Sequence, residues 1–560
     1  MKKGLKKVTA AMLALALVLS MVMSGCSNSK EAENANSTNA SSAKTGAGTG
    51  ADTTAAEVTG GRYVVDPNTP AWKLDTKENN KLTWYVNADW WNTEWGNDTV
   101  TRRIKEDLKL DIEFITGDDT KLNTLFASDE LPDIITVFDS SSTVAKTADQ
   151  WAIPLTELAD KYDPYFYQVA KEDTLNWYKL EDGKTYGYPD YSNSQFDYDN
   201  GNIQAATAFA IRKDVYEALG QPKMGTPEEF INTLALIKEK YPDLVPFGFN
   251  DMTNGTGSLG YDFENFIGVP IENEDGSWYD RDMDPDYLAW IKTFNHAYRQ
   301  GLISDDRFAD DYTTHEEKVK SGQYATIMIG GTPQRSGALQ VWMNTKPEAA
   351  YIAIDGPQST AGHAPTLAQA GISGWAVNYI TKDCKDTIKA VELFTYLLSD
   401  DAGILTTFGV EGETYQVNAE GKYELLQEVK EMQQSDNDKY KKVYRLGEFC
   451  LFGHDRYKAF GTDQIESIQQ MQEWGTGKLK TLFVIENIDP DAGTLEARNL
   501  SAIQTNWNTT LVSLIRAKDD AAFDQLLSDF RKFREDNGWD GIVKARNEKM
   551  AKNREKLGLK

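Results

Sequence analysis

Cysteine and histidine are almost missing from this chain. Three cysteines (Cys26, Cys384, Cys450) in 560 residues exclude a disulfide-framed fold and a multi-cysteine zinc site. The four histidines (His296, His315, His363, His454) are scattered, with none at ligand spacing, which argues against a metal site. Positive charge is also scarce. Lys and Arg number 59 against 86 Asp and Glu, a net charge of −27. So acidic a chain repels phosphate backbones and is a poor partner for nucleic acid. No apolar run after residue 23 is long enough to span a bilayer. There is no G-x-S-x-G elbow, no H-E-x-x-H helix and no internal repeat. Aromatic residues, in contrast, are plentiful: 14 Trp, 26 Tyr and 22 Phe. With 40% hydrophobic residues the chain can bury sizeable cores, and its length calls for two domains or more.

The first residues read as an address. Lys2, Lys3, Lys6 and Lys7 precede an uncharged stretch from Val8 to Met23, a charged n-region followed by an apolar h-region. Met23-Ser24-Gly25-Cys26 resembles a bacterial lipobox, in which the cysteine is acylated and becomes the new N-terminus. Met23 departs from the usual leucine. Residues 1–26 are therefore expected to be a lipoprotein signal with its lipid-bearing Cys26, at the extracellular face of the cell membrane. Removing residues 1–25 takes four lysines and no acid, which moves the net charge from −27 to −31. Residues 27–61 hold no aromatic and one strong aliphatic, Val58, the composition of a flexible tether. Some thirty-five such residues reach about 30–35 Å.

Beyond the tether the pattern alternates between periods of two and 3.6. Leu82, Trp84 and Val86 predict a strand. Val100, Ile104 and Leu108 predict a helix face, and Leu110, Ile112 and Phe114 a second strand. A short helix over 121–127 leads to a third strand at 133–137. This order means parallel pairing in an α/β layer, and ligands in such layers sit beyond the carboxyl ends of strands. Those ends are 87–91 and 138–142. Thr226-Pro227-Glu228-Glu229 is a capping box with proline at the first helical position. Further helices are expected around 388–398 and 523–533, strands at 208–211, 325–329 and 350–354, and a solvated terminal helix over 541–560.

The order of these signals resembles the family 1 extracellular solute-binding proteins, the lipoprotein receptors of ABC sugar importers in Gram-positive bacteria. The likeness is greatest to the large LipO-like and alginate-oligosaccharide-binding-like members. It runs from about Lys81 to the C-terminus. Its carriers are Phe126–Ile135, Ile153–Leu158, Asp182–Pro189, Ile211–Asp214, the Thr226 helix, Gly322–Gly330, Gly374–Val377 and Phe408–Tyr415. Each segment is weak evidence alone; eight in order are specific. The resemblance implies a type II, periplasmic-binding-protein-like fold: two α/β lobes, each a doubly wound sheet flanked by helices, closing on a hinge. One lobe is expected from 62–205 with 350–405, the other from 206–349 with 406–560. The calcium loop of the alginate-binding relatives has no counterpart here, so neither metal nor cofactor is carried over.

A sugar receptor needs aromatic plates for ring faces and polar groups for hydroxyls. Asp89-Trp90-Trp91-Asn92-Thr93-Glu94-Trp95 packs three tryptophans into a strand-end loop, where they are hard to bury together. At least one of Trp90, Trp91 and Trp95 is therefore expected to meet ligand, with Asp89 as a polar candidate beside them. Trp375 occupies a position resembling the family's ring-stacking tryptophan, or packs in the core. Asp139 and Ser140 either meet ligand or cap the following helix. Tyr188 and Asp190 lie near the expected lobe crossing, as contacts or as a structural turn. Arg212 is a contact or an ion-pair partner, and Asp455 and Arg456 lie in a polar aromatic segment. Cys384 and Cys450 are either paired or free. The expected activity is non-catalytic: a monomeric receptor for an oligosaccharide, docking on an ABC permease. The rivals are a secreted glycoside hydrolase or lyase, which needs two carboxylates at fixed separation, and a peptide receptor of the same plan.

Overall fold

The computed structural model describes residues 58–128, 130–140, 142–205, 207–330, 337–367, 371–461 and 466–559. Cys26 and the tether up to residue 57 lie outside the described residues. The last tether residues are ordered: Val58 and Thr59 pair with Val64 and Tyr63 in a small hairpin. Beside it, Arg62 donates to Asp386 at 2.6 Å.

Nine strands build two sheets: β1 (Asn80–Val86), β2 (Leu110–Thr116), β3 (Ile134–Val137), β4 (Gly187–Pro189), β5 (Ala208–Arg212), β6 (Val245–Phe249), β7 (Tyr324–Ile329), β8 (Tyr351–Ala353) and β9 (Val377–Ile380). The first sheet has the order β2-β1-β3-β9-β4. Its β1 runs parallel to β2 and β3, as the strand–helix alternation predicts, and β9 is antiparallel to both neighbours. Alternate residues of β1 feed two cores. Leu82, Trp84 and Val86 face one and Tyr85 the other, so the sheet is covered on both faces. Between β1 and β2 lies α1 (Thr99–Leu108), started by Asp98, whose carboxylate accepts from the Thr101 amide. It buries Val100, Ile104 and Leu108 and stops at left-handed Lys109. Asp118 starts α2 (Asp119–Ala127) in the same way.

The second sheet has the order β8-β5-β7-β6. Only β6 and β7 are parallel; β5 is antiparallel to both neighbours. Its helices include α3 (Pro227–Lys240), with the predicted capping box between Thr226 and Glu229, and α4 (Pro285–Arg299). The helix predicted around 388–398 is α5 (Thr387–Leu398) and packs in the first lobe. Three C-terminal helices, α6 (Leu495–Ile515), α7 (Asp520–Asp536) and α8 (Trp539–Lys556), complete the chain. Of these, α8 is not merely solvated: it buries Ile542, Arg546, Lys549, Met550 and Asn553.

Two expected lobe boundaries are corrected by pairing and packing. The resemblance places residues 350–354 in the first lobe, yet β8 hydrogen-bonds to β5 in the second sheet. It places residues 406–452 in the second, yet Val429, Tyr440, Leu446, Phe449, Leu451 and Phe452 pack in the core under β1 and β2. A buried polar chain helps to hold this return segment. Trp84 Nε1 donates to Thr136 Oγ1 at 2.7 Å, Thr136 Oγ1 to Asn378 Oδ1 at 2.6 Å, and Asn378 Nδ2 to the Leu451 carbonyl at 2.6 Å. Among the described residues the chain therefore passes between lobes three times, after β4, after β8 and after Gly461, which still bridges to Tyr423. Cys384 and Cys450 are unpaired thiols, and burial raises both above the usual range.

Candidate functional site

The tryptophan loop after β1 splits its rings between core and solvent. The Trp91 amide donates to the Ala88 carbonyl at 3.2 Å, a turn that points neighbouring side chains in opposite directions. Trp91 is only 4% exposed and packs edge-on against Phe114 and Phe449. Trp95 joins the same cluster and donates to the Leu110 carbonyl at 3.2 Å. Arg445, itself buried, locks the loop by donating to the carbonyls of Asn92 at 2.6 Å and Glu94 at 2.7 Å, with its guanidinium over the Trp91 ring at 5.3 Å. Trp91 and Trp95 are thus anchors rather than ligand contacts. Trp90 is the ring they present, 48% exposed, and Asp89 beside it is exposed.

Three strand ends converge there. Trp90 follows β1, Phe138 follows β3, and Trp375 precedes antiparallel β9. Trp90 and Trp375 stack with centroids 5.7 Å apart and planes 18° from parallel. Phe138 closes the group at 5.7 Å from Trp90 and 4.8 Å from Trp375. The Trp375 segment is rigidly set. Asp190 is fully buried; its carboxylate accepts from the Ala376 amide at 2.5 Å and the Trp375 amide at 3.3 Å. Gly374 has φ +65°, and a β-carbon there would lie 2.2 Å from the Asp190 carbonyl oxygen. Only glycine combines that backbone with that approach. Asp190 is therefore a bracket for Trp375, and Tyr188 is a core residue whose hydroxyl accepts from the Lys171 amide at 3.0 Å.

The facing wall comes from the second lobe. After β6 the chain turns through Gly257–Leu259 into a short helix, Tyr261–Phe266. Tyr261 is 47% exposed, and desolvation pushes its phenol up to about 12. The Arg281 guanidinium lies 5.5 Å from its ring. Next to it, burial pushes the Asp262 carboxyl up to about 6, although Thr207 donates to it at 2.9 Å. Gly330 makes room for that carboxylate, 1.9 Å from where a β-carbon would sit.

Glu486 joins the two walls. It accepts from the Ile372 amide at 3.0 Å, the Ser373 amide at 3.0 Å and Ser373 Oγ at 2.6 Å. Its negative charge helps to raise the phenols of Tyr261 and of Tyr178. Tyr178, deeply desolvated, donates to the Ser373 carbonyl at 2.5 Å. Ser140 lies against the Tyr178 hydroxyl, and Asp139 is exposed beside it.

Other expected contacts fall elsewhere. Arg212 is at the far end of β5: because β5 runs antiparallel to β7, its carboxyl end points away from the aromatic edge. There Arg212 pairs with Asp214 at 2.6 Å and donates to the Gly322 carbonyl at 2.9 Å. Arg456 pairs with Asp400 at 2.7 Å and with the Tyr457 hydroxyl; the side chain of Asp455 lies outside the described residues. The rings and acids that sequence reasoning missed are Phe138, Tyr178, Tyr261, Asp262 and Glu486. The strand-end rule that found Trp90 also reaches Tyr261 once β6 is recognised; nothing in the sequence singles out Glu486.

No family model matches this chain, and no curated protein matches it. Solved structures do. An extracellular solute-binding protein from Bifidobacterium longum subsp. infantis superposes with TM-score 0.64 at 15% identity, over 85% of this chain and 98% of that one. The alginate-binding protein AlgQ2, without calcium ion, gives 0.59 at 16% identity over 85% and 99%. The S. pneumoniae ABC-transporter substrate-binding protein FusA, in complex with kestose, gives 0.57 at 15% identity over 84% and 99%. The fold is that of the two-lobed solute-binding proteins. The aromatic edge of the first sheet and Tyr261 belong to different lobes of that fold, and Glu486 lies near both.

Proposed function

We propose that this chain is a non-catalytic, monomeric receptor that captures an oligosaccharide between its lobes and delivers it to an ABC permease. Lipid on Cys26 would hold it at the extracellular face of the membrane. The observation that carries the reading is the half-exposed Trp90 stacked beside Trp375 at the cleft edge. Such a surface suits the apolar face of a sugar ring, and Tyr261 and Asp262 supply hydroxyl partners opposite. The names of two similar structures, one alginate-binding and one with bound kestose, point the same way. Glycoside hydrolysis would need a pair of available carboxyls. Glu486 is instead committed to three donors, which favours binding over turnover.

The test is calorimetry on a soluble form lacking residues 1–57, over neutral and acidic oligosaccharides and peptides. A saturable response to a glycan with no release of reducing ends is expected. A response to peptides alone would overturn the sugar assignment, and released reducing ends would overturn the receptor assignment.

A further inference from the structure

Away from the aromatic rings, a second concavity of about 220 Å³ opens between the first lobe and the C-terminal helix α8. Its lining includes Lys146 and Lys179 from the first lobe and Lys549, Lys552 and Lys556 from α8, with no aspartate or glutamate. In a chain where acids outnumber bases 86 to 59, that local reversal demands a reason. The three α8 lysines are spaced three and four residues apart, so they share one helix face and repel one another. Trp177 forms part of the floor. Lys556 Nζ donates to the Trp177 carbonyl at 2.8 Å and lies 5.3 Å from its ring centroid.

Lys146 and Lys549 are engaged by partners of their own, and the charge the pocket can offer rests on Lys179, Lys552 and Lys556. Lys179 donates to the Asn176 side-chain oxygen at 2.5 Å, and Lys549 donates to the Asp489 main-chain carbonyl. The Asp489 carboxylate is engaged by Arg546 at 2.6 Å. Lys146 reaches Asp491 at 3.5 Å. Among the described residues neither Lys552 nor Lys556 has a carboxylate within ion-pairing distance. Desolvation at the pocket wall and the neighbouring Lys552 both lower the Lys556 pKa.

We infer that this pocket is an oxyanion-binding site, separate from the aromatic edge, that takes a sulfate, phosphate or carboxylate group. Lysines converging from two walls meet the needs of such a group. The group has two possible sources: a free inorganic oxyanion, or an acidic sugar within an oligosaccharide in the cleft. The second source rests on the proposed function; the first does not. Ser140 lines this pocket two residues after Phe138, which puts the site within reach of a ligand stacked at Trp375. Because one wall is first lobe and the other is α8, a bound anion holds the two together.

The test compares thermal unfolding of the same soluble form in sulfate or phosphate with unfolding in chloride at matched ionic strength. A saturable rise with the oxyanions alone is expected. The rise should disappear in K552Q/K556Q, whose side chains are surface-accessible, and persist in W90A. An equal rise in chloride, or an undiminished response in the double variant, overturns the site. Should K552Q/K556Q fail to fold, K179Q and direct calorimetry of sulfate on the unaltered protein decide the same question. An oligouronate and its neutral counterpart separate the sources. If the acid rides on the sugar, K552Q/K556Q loses about tenfold affinity or more for the oligouronate and none for the neutral chain. If the ion is free, both sugars bind the variant unchanged. Loss of all sugar binding with the sulfate response intact would overturn the proposed function and leave the anion site standing.

Discussion

The two sides of the proposed cleft are built on opposite plans. On the first lobe, hydrophobic rings are presented by buried polar groups: Arg445 holds the tryptophan loop by its carbonyls, and Asp190 holds Trp375 by its amides. On the second lobe, Tyr261 and Asp262 are themselves the polar groups on offer, carried on a short helix and packed around glycine. The first edge spends its hydrogen bonds on fixing shape. The second keeps its polar groups near the cleft and bears the cost of desolvating them. Affinity for a ring face should therefore depend on the first edge, and discrimination between hydroxyl patterns on the second.

Substitutions can break this division, and the largest effect should come from the anchors. Trp91→Ala should destabilise the protein by about 3–5 kcal/mol, as large-to-small changes in a core do, read from denaturant unfolding. Trp90→Ala, one residue earlier, should leave stability nearly unchanged. Next comes Gly374→Ala, which combines a left-handed backbone with a clash at the Asp190 carbonyl. A loss of about 1–3 kcal/mol is expected, together with weaker glycan binding because Trp375 is displaced. Trp90→Ala or Trp375→Ala should then weaken binding by about 1 kcal/mol or more, measured by calorimetry. Tyr261→Phe removes only a hydroxyl. It should change the ranking of sugars of different hydroxyl pattern more than it changes affinity for the best one.

The smallest effect is one of pH. Burial pushes the Glu392 carboxyl up to about 7 despite Lys389, and burial raises Glu264 as well despite Arg281. Between about pH 6 and 8 the folded protein still holds protons that the unfolded chain has released, so stability falls as pH rises through this window. His315 has the opposite sign, with its pKa lowered to about 3 by burial. It costs stability only as pH drops below the unfolded histidine value of about 6.5. The melting temperature should therefore decline from pH 6.5 to 8, and Glu392→Gln should flatten that decline. An unchanged slope would remove Glu392 from the account.

Much of the first edge was legible in the sequence because its strands alternate cleanly and sit in βα order. Leu82, Trp84 and Val86 located β1, and the strand-end rule then located Trp90. Its split from Trp91 was not legible, since the turn at Ala88 and the reach of Arg445 from 350 residues away decide which ring is buried. The lobe boundaries failed for a similar reason. Residues 351–353 look like any short strand, and only their pairing with β5 assigns them to the second sheet. Of the two readings of Arg212, the ion pair is the one found, and strand direction, invisible in a local pattern, is what takes it to the end of β5 away from Trp375. Glu486 has no local signature at all; its role comes from amides more than a hundred residues earlier.

That carboxylate has a consequence for how occupancy of the cleft could be observed. Glu486 sits in the C-terminal segment packed on α8, while the amides it holds lie two and three residues before Trp375. A rotation of the lobes that preserves these bonds works against the Asp190 bracket on the Trp375 and Ala376 amides, so the surroundings of the Trp375 indole change even where its backbone is held. The emission of the Trp90–Trp375 pair should then respond to lobe rotation, as a shift on ligand addition that Glu486→Gln reduces.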